Sequence, residues 1–126
     1  MRRALPALML VYGLASLVHF IHNAEFLADY PGMPATWTRP GVYAAWAAMS
    51  ALGFAGWLLV SRGYAVAGLL FVAVYAVLGM DSLGHYVLAP MSAHSLAMNA
   101  TILVEVTAAA LVLAEAARRM LRRGVL

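Results

Sequence analysis

Four long apolar segments alternate with short polar connections along the chain. They cover approximately residues 5–29, 42–61, 64–88 and 93–117. Each has about 20 residues or more, which is enough for an α-helix to cross a hydrocarbon layer of about 30 Å. Only helices and closed barrels satisfy their backbone hydrogen bonds in lipid, and the segments lack the alternation of a barrel strand. The pattern therefore predicts four transmembrane helices.

The connections between these segments are short and contain helix-breaking residues. The first reads YPGMPATWTRPG (30–41), with three prolines and two glycines. The second is SRG (61–63), and the third is APMS (89–92), in which Ser92 is a suitable N-cap for the last helix. Because short connections make consecutive helices antiparallel, we expect an all-α, up-down four-helix bundle that forms one integral membrane domain over residues 1–126.

Composition supports a membrane protein and removes several kinds of chemistry. Hydrophobic residues make up 65% of the chain and charged residues only 10%, whereas a soluble domain has about 25% charged residues. The chain has no cysteine, so disulfides and thiolate metal sites are excluded. All eight basic residues are arginines, which excludes a lysine Schiff base. This Lys-free, Ala- and Arg-rich usage is typical of a GC-rich bacterial genome.

The arginines are distributed unequally between the two predicted membrane faces. Arg2, Arg3, Arg62 and the run RRMLRR (118–123) belong to one face, and Arg39 belongs to the other. The positive-inside rule then predicts a multi-pass protein of the bacterial inner membrane with both termini in the cytoplasm. Basic residues at helix ends indicate topology rather than a phosphate-binding patch, so we expect no nucleic-acid partner.

Histidines and carboxylates interrupt three of the four apolar segments. At a rise of about 1.5 Å per residue, all four histidines lie in the outer half of the membrane. At about 100° per residue, the polar residues of each segment share one stripe, which faces the bundle interior because lipid cannot solvate it. The stripes are predicted to converge in one pocket that opens outward. They contain His19, His22, Glu25 and Asp29, then Asp81 and His85, then His94, Met98, Thr101 and Glu105.

The residue types and their spacing favour a metal site. An imidazole and a carboxylate one helical turn apart can bind the same ion, as in His22/Glu25 (H-x-x-E) and Asp81/His85 (D-x-x-x-H). His94 would add a ligand from the last segment, and an N/O ligand set suits zinc, iron or copper. The metal would polarise a substrate or activate water. The predicted metal ligands are His19, His22, Glu25, Asp81, His85 and His94.

Three alternatives stay open at this stage. A b-type haem held between a histidine of the first segment and one of the third or fourth would make the protein an electron carrier. In a metal-free enzyme acting on a lipid-like substrate, Glu25 or Asp81 would be catalytic and exchange protons with His22 or His85. An accessory subunit would use the polar residues to contact a larger complex. The absence of a soluble domain favours a small or lipid-soluble substrate, and the oligomeric state is not predicted.

Short motifs give a resemblance to known sequences. The run HNAEFLADYPGMPATW (22–37) resembles the small, largely uncharacterised bacterial membrane proteins named for an H-x-x-E-E motif. His22 and Glu25 match that motif, whereas Phe26 stands where the second glutamate is expected. The layout of the whole chain, with HNAEF early and SLGHY (82–86) late, is similar to uncharacterised four-helix bacterial membrane proteins. The resemblance implies a site but no established activity.

Overall fold

A computed structural model describes residues 4–125, and over this range the chain is helical with no strand. Arg2 and Arg3, which contribute to the predicted topology, lie outside the described residues. A 3₁₀ turn at Asp81–Gly84 joins α3 to α4, so that Ala65–Leu88 forms one span. The helices are α1 (Ala4–Glu25), α2 (Arg39–Ser61), α3 (Ala65–Met80), α4 (His85–Leu88) and α5 (Leu96–Leu121).

The described residues contain four helical spans that are long and apolar enough to cross a membrane, as the hydrophobic pattern predicts. Their ends differ from the sequence estimate. The first helix ends at Glu25 because Leu27–Asp29 forms a 3₁₀ turn. The last helix begins at Leu96 because Ser95, and not Ser92, is its N-cap. The Ser95 hydroxyl accepts a hydrogen bond from the backbone N–H of Met98 at 3.2 Å, which satisfies one of the free donors of the first turn.

The spans form a closed four-helix bundle. The first packs against the second and the last, and the third packs against the same two. Close approach of α2 and α3 depends on Gly56 and Gly68, since a Cβ at Gly68 would lie 2.7 Å from the carbonyl oxygen of Gly56. Outward faces carry exposed apolar side chains such as Leu14, Val104 and Leu111, as expected for surfaces that contact lipid.

The bundle has two chemically different ends. The histidine end comprises the connections 26–38 and 89–95 together with the helix ends that flank them, and all four histidines lie towards it. The arginine end comprises the turn 62–64 and the C-terminal part of α5, which carries RRMLRR (118–123). The buried polar groups of the two ends have different partners.

Candidate functional site

His19 is the most deeply buried histidine, with 2% of its surface exposed. Its Nδ1 lies 3.2 Å from the Thr101 hydroxyl, and that hydroxyl donates its only proton to the carbonyl of Met98 at 3.0 Å. The hydroxyl oxygen must therefore accept, and His19 must carry a proton on Nδ1. This arrangement aims the other ring nitrogen, Nε2, at a carboxyl group of α5.

That carboxyl group belongs to Glu105, which is fully buried. One of its oxygens, Oε2, lies 3.7 Å from Nε2 of His19 and accepts a hydrogen bond from the Ser82 hydroxyl at 2.5 Å. Its other oxygen, Oε1, has no hydrogen-bond partner. Two acceptors facing each other in a buried site repel unless one carries a proton. The pair therefore holds one exchangeable proton, either on the glutamate or on the imidazole.

The other histidines extend from this pair towards the surface of the histidine end. Ring centroids are 5.5 Å apart for His19 and His85 and 6.2 Å apart for His85 and His94. Tyr30, from the connection after α1, lies over His85 with a centroid distance of 4.9 Å, and its hydroxyl is 2.9 Å from Nδ1 of His22. Burial raises the pKa of Tyr30 to about 12, so its hydroxyl stays protonated near neutral pH.

Two buried imidazole nitrogens in this row have no partner. His94 donates from Nδ1 to the carbonyl of Pro90 at 3.0 Å, and its Nε2 is buried and unpaired. His85 accepts at Nε2 from the amide of Asn23 at 3.0 Å, and its Nδ1 is buried and unpaired. Because buried polar atoms are normally hydrogen-bonded, each of these two nitrogens is available to contact a water, ion or ligand group.

A pocket of about 400 Å³ adjoins this cluster and is lined by residues of α1, the connection 26–38, the start of α2 and the span Ala65–Leu88. Its polar lining consists of His19, Asn23, Asp81, Ser82 and His85. The rest of the lining is mostly apolar and includes Phe20, Leu78, Val87 and Leu88. A mostly apolar cavity with a few convergent polar groups is typical of a site for a small molecule.

The structure leaves Glu25 and Asp81 exposed, although the sequence pairs them with His22 and His85. Glu25 is exposed and accepts from Arg39 at 2.7 Å and from Tyr43 at 2.7 Å, which ties α1 to the start of α2. Asp81 is exposed at the rim of the pocket. Within residues 4–125, no three His, Asp or Glu side chains are arranged to hold a metal ion.

Sequence reasoning missed Ser82, and the reason is a change of helical phase. An α-helix would align Asp81 with His85, four residues later. Residues 81–84 instead form a 3₁₀ turn, in which residues three apart share a face. Ser82 and His85 are both buried as a result, whereas Asp81 is exposed. Tyr30 was also missed, because it lies in a connection where hydrophobic periodicity carries no signal.

Comparison of the chain with protein-family models, curated proteins and solved structures finds no match. The resemblance to the H-x-x-E-E proteins stays a prediction. Function must therefore be argued from the site itself.

Proposed function

We propose that this protein binds a small, lipid-soluble molecule in the 400 Å³ pocket and exchanges a proton with it through His19 and Glu105. One observation carries the proposal. A buried imidazole and a buried carboxyl group, from different helices and 3.7 Å apart, share one proton beside a pocket large enough for a ligand. A positioned acid–base pair of this kind accelerates proton transfer by about 10²–10⁴-fold.

The roles of the two residues follow from their positions. His19 lines the pocket, whereas Glu105 does not. His19 is therefore the group that meets the ligand, passing the proton of the pair from Nε2 to the ligand and taking a proton back from an acidic C–H or O–H group of it. Glu105 acts as a positioning residue that stabilises the imidazolium ion, and it is held in place by the hydrogen bond from Ser82. The Thr101 hydroxyl keeps the imidazole from rotating.

We further propose that the site lies in a bacterial inner membrane and opens towards the outer face. The distribution of arginines supports this orientation, since Arg62 and RRMLRR (118–123) lie at the end of the bundle opposite the histidines under the positive-inside rule. The apolar lining of the pocket supports a ligand that dissolves in lipid.

The ligand can be sought with variants that fill the pocket. Gly84 lines the pocket, and a Cβ added there meets no atom within 4 Å, so Gly84→Phe should block the cavity without disturbing the backbone. Leu83→Phe is the matched control, because Leu83 is exposed next to it. Mass spectrometry of solvent extracts should find one molecule retained by the wild type and Leu83→Phe and lost from Gly84→Phe. Identical extracts from all three proteins would refute the proposal.

Proton exchange is tested next with that molecule. Glu105→Gln should bind it normally but exchange deuterium into it at least about 100-fold more slowly. Retention of wild-type exchange in Glu105→Gln would remove the pair from the mechanism. Chelation should have no effect on exchange in the wild type.

A metal centre is the second candidate function, and the unpaired Nε2 of His94 favours it. Ligating histidines usually donate their other N–H to a carbonyl, as His94 does to Pro90. If the Asn23 amide group rotated by 180°, its Oδ1 would accept a hydrogen bond from Nε2 of His85. His85 would then carry its proton on Nε2, and its Nδ1 would have a free lone pair for a metal ion. The haem and accessory-subunit hypotheses stay predictions.

Elemental analysis after incubation with zinc, iron or copper salts tests this candidate. His94→Gln should lower the bound metal at least about tenfold, whereas His22→Gln, which removes the contact with Tyr30, should not. Equal metal content in the wild type and His94→Gln would dismiss the centre.

A further inference from the structure

A second pocket lies at the arginine end, far from the histidines. Its volume is about 320 Å³. It is bounded by the end of α2, the first turns of α3 and the C-terminal end of α5. The apolar wall consists of Val60, Ala65 and Leu69, and the basic wall consists of Arg118, Arg119, Arg122 and Arg123.

One carboxylate orients two of these arginines. Glu115 is buried and accepts from both Nε and Nη2 of Arg118 at 2.7 Å. It also accepts from Nε of Arg119 at 2.7 Å. Fixing the guanidinium groups in advance lowers the entropy lost when they bind an anion. Two of the four guanidinium groups that line the pocket are thus held in fixed orientations.

The lining of this pocket is basic. The other four acidic residues of the chain are Glu25, Asp29, Asp81 and Glu105, and none of them lines the pocket. Among residues 4–125, four arginines and no acidic side chain therefore line the pocket. Arg122 and Arg123 are exposed at the end of α5, where their side chains can reach a ligand.

We propose that this pocket binds a phosphate group, supplied by the headgroup of an anionic phospholipid whose acyl chain lies along Val60 and Ala65. Guanidinium groups bind phosphate oxygens in pairs of parallel hydrogen bonds. Basic pockets between membrane helices near the cytoplasmic surface bind anionic headgroups in this way. The adjoining apolar wall favours a lipid over free phosphate, because only a lipid has an acyl chain to contact it.

Native mass spectrometry of the protein released from nanodiscs tests the proposal. The nanodiscs contain phosphatidylcholine mixed with phosphatidylglycerol. The wild type should retain phosphatidylglycerol in preference to phosphatidylcholine, and Arg122→Gln/Arg123→Gln should weaken that retention roughly 5- to 30-fold. Arg62→Gln is the matched control, because Arg62 lies at the same end but does not line the pocket. It should behave as the wild type.

Three outcomes would overturn the proposal. Equal loss in Arg62→Gln would mean diffuse attraction to the membrane rather than a pocket. Equal retention of both lipids by the wild type would mean no anion site. Displacement of the lipid by millimolar inorganic phosphate would assign the pocket to the free anion. Circular dichroism of the double variant checks that the helices are intact.

Discussion

Two buried glutamates on the same helix have opposite surroundings. Glu115, at the arginine end, has three hydrogen bonds from two guanidinium groups. Glu105, ten residues earlier, has one hydrogen bond from a serine hydroxyl, an imidazole at 3.7 Å and an oxygen without a partner. Both side chains are less than a tenth exposed, so burial alone does not distinguish them.

The difference shows how one helix can contain both a structural and a reactive carboxyl group. Glu115 is held as an anion by permanent cations, and a carboxylate held in this way is a poor proton acceptor. Glu105 faces a neutral hydroxyl and a histidine that can itself carry the proton, so either protonation state can form. Incomplete pairing is expected to lower stability, and such a cost is common where function requires it.

The largest loss of stability should come from disturbing the close contact between α2 and α3. In Gly68→Ala, the new Cβ would lie 2.6 Å from the backbone nitrogen of Val60 and 2.7 Å from the carbonyl oxygen of Gly56. Because backbone atoms cannot move aside cheaply, we expect a loss of about 3 kcal/mol in the free energy of unfolding. Denaturation with sodium dodecyl sulfate in mixed micelles measures it.

Gly13→Ala is the control for that change. Its Cβ would meet only the Tyr75 hydroxyl, at 3.8 Å, and alanine favours a helix by about 1 kcal/mol over glycine. This variant should be at least as stable as the wild type. If Gly68→Ala were equally stable, the close approach of the two helices would not be a constraint.

A smaller difference in unfolding free energy should distinguish substitutions of the two glutamates. Glu115→Gln removes the negative charge that two arginines share and should cost about 1–2 kcal/mol of unfolding free energy. Glu105→Gln keeps the bond from Ser82 and should change that energy by less than about 1 kcal/mol. The same micelle titration compares them. Equal losses would mean that both carboxyl groups are structural.

The smallest effect should come from Glu25, the carboxylate that the sequence places in the site. Its partners are Arg39 and Tyr43 on the surface, and exposed ion pairs contribute little to stability. Glu25→Gln should leave both the unfolding free energy and proton exchange with the ligand unchanged. A loss of exchange in this variant, measured beside Glu105→Gln, would move the reactive carboxylate to the surface of the histidine end.

The four spans could be predicted from the sequence because hydrophobic length is a direct physical requirement of a bilayer. The exact helix ends could not, since they depend on local contacts. Ser92 and Ser95 are both acceptable N-caps by residue type. The 3₁₀ turn at Met91–Ala93 leaves only Ser95 positioned to accept from the first turn of α5.

The site was harder to predict than the fold. Periodicity identified the polar stripes, and His19, His85 and Glu105 do come from three spans and meet. Which residues of each stripe are buried in the site could not be predicted, because this depends on small rotations of each helix about its axis. His19 is one of four polar residues in the predicted stripe of α1, yet it is more buried than His22. The 3₁₀ turn at Asp81–Gly84 likewise buries Ser82 and leaves Asp81 exposed.

Tyr30 covers one side of the histidine cluster, and so it limits the directions from which a ligand can reach the cluster. Its ring is 3% exposed and covers the histidines from the direction of the connection 26–38, whereas Val87 and Leu88 border the pocket and are themselves exposed. If the four spans cross a membrane as proposed, a ligand that passes Val87 and Leu88 enters the pocket from among the acyl tails. Partitioning into the bilayer would enrich such a compound before any contact with the protein, so dissociation constants should be expressed per mole of lipid rather than per litre.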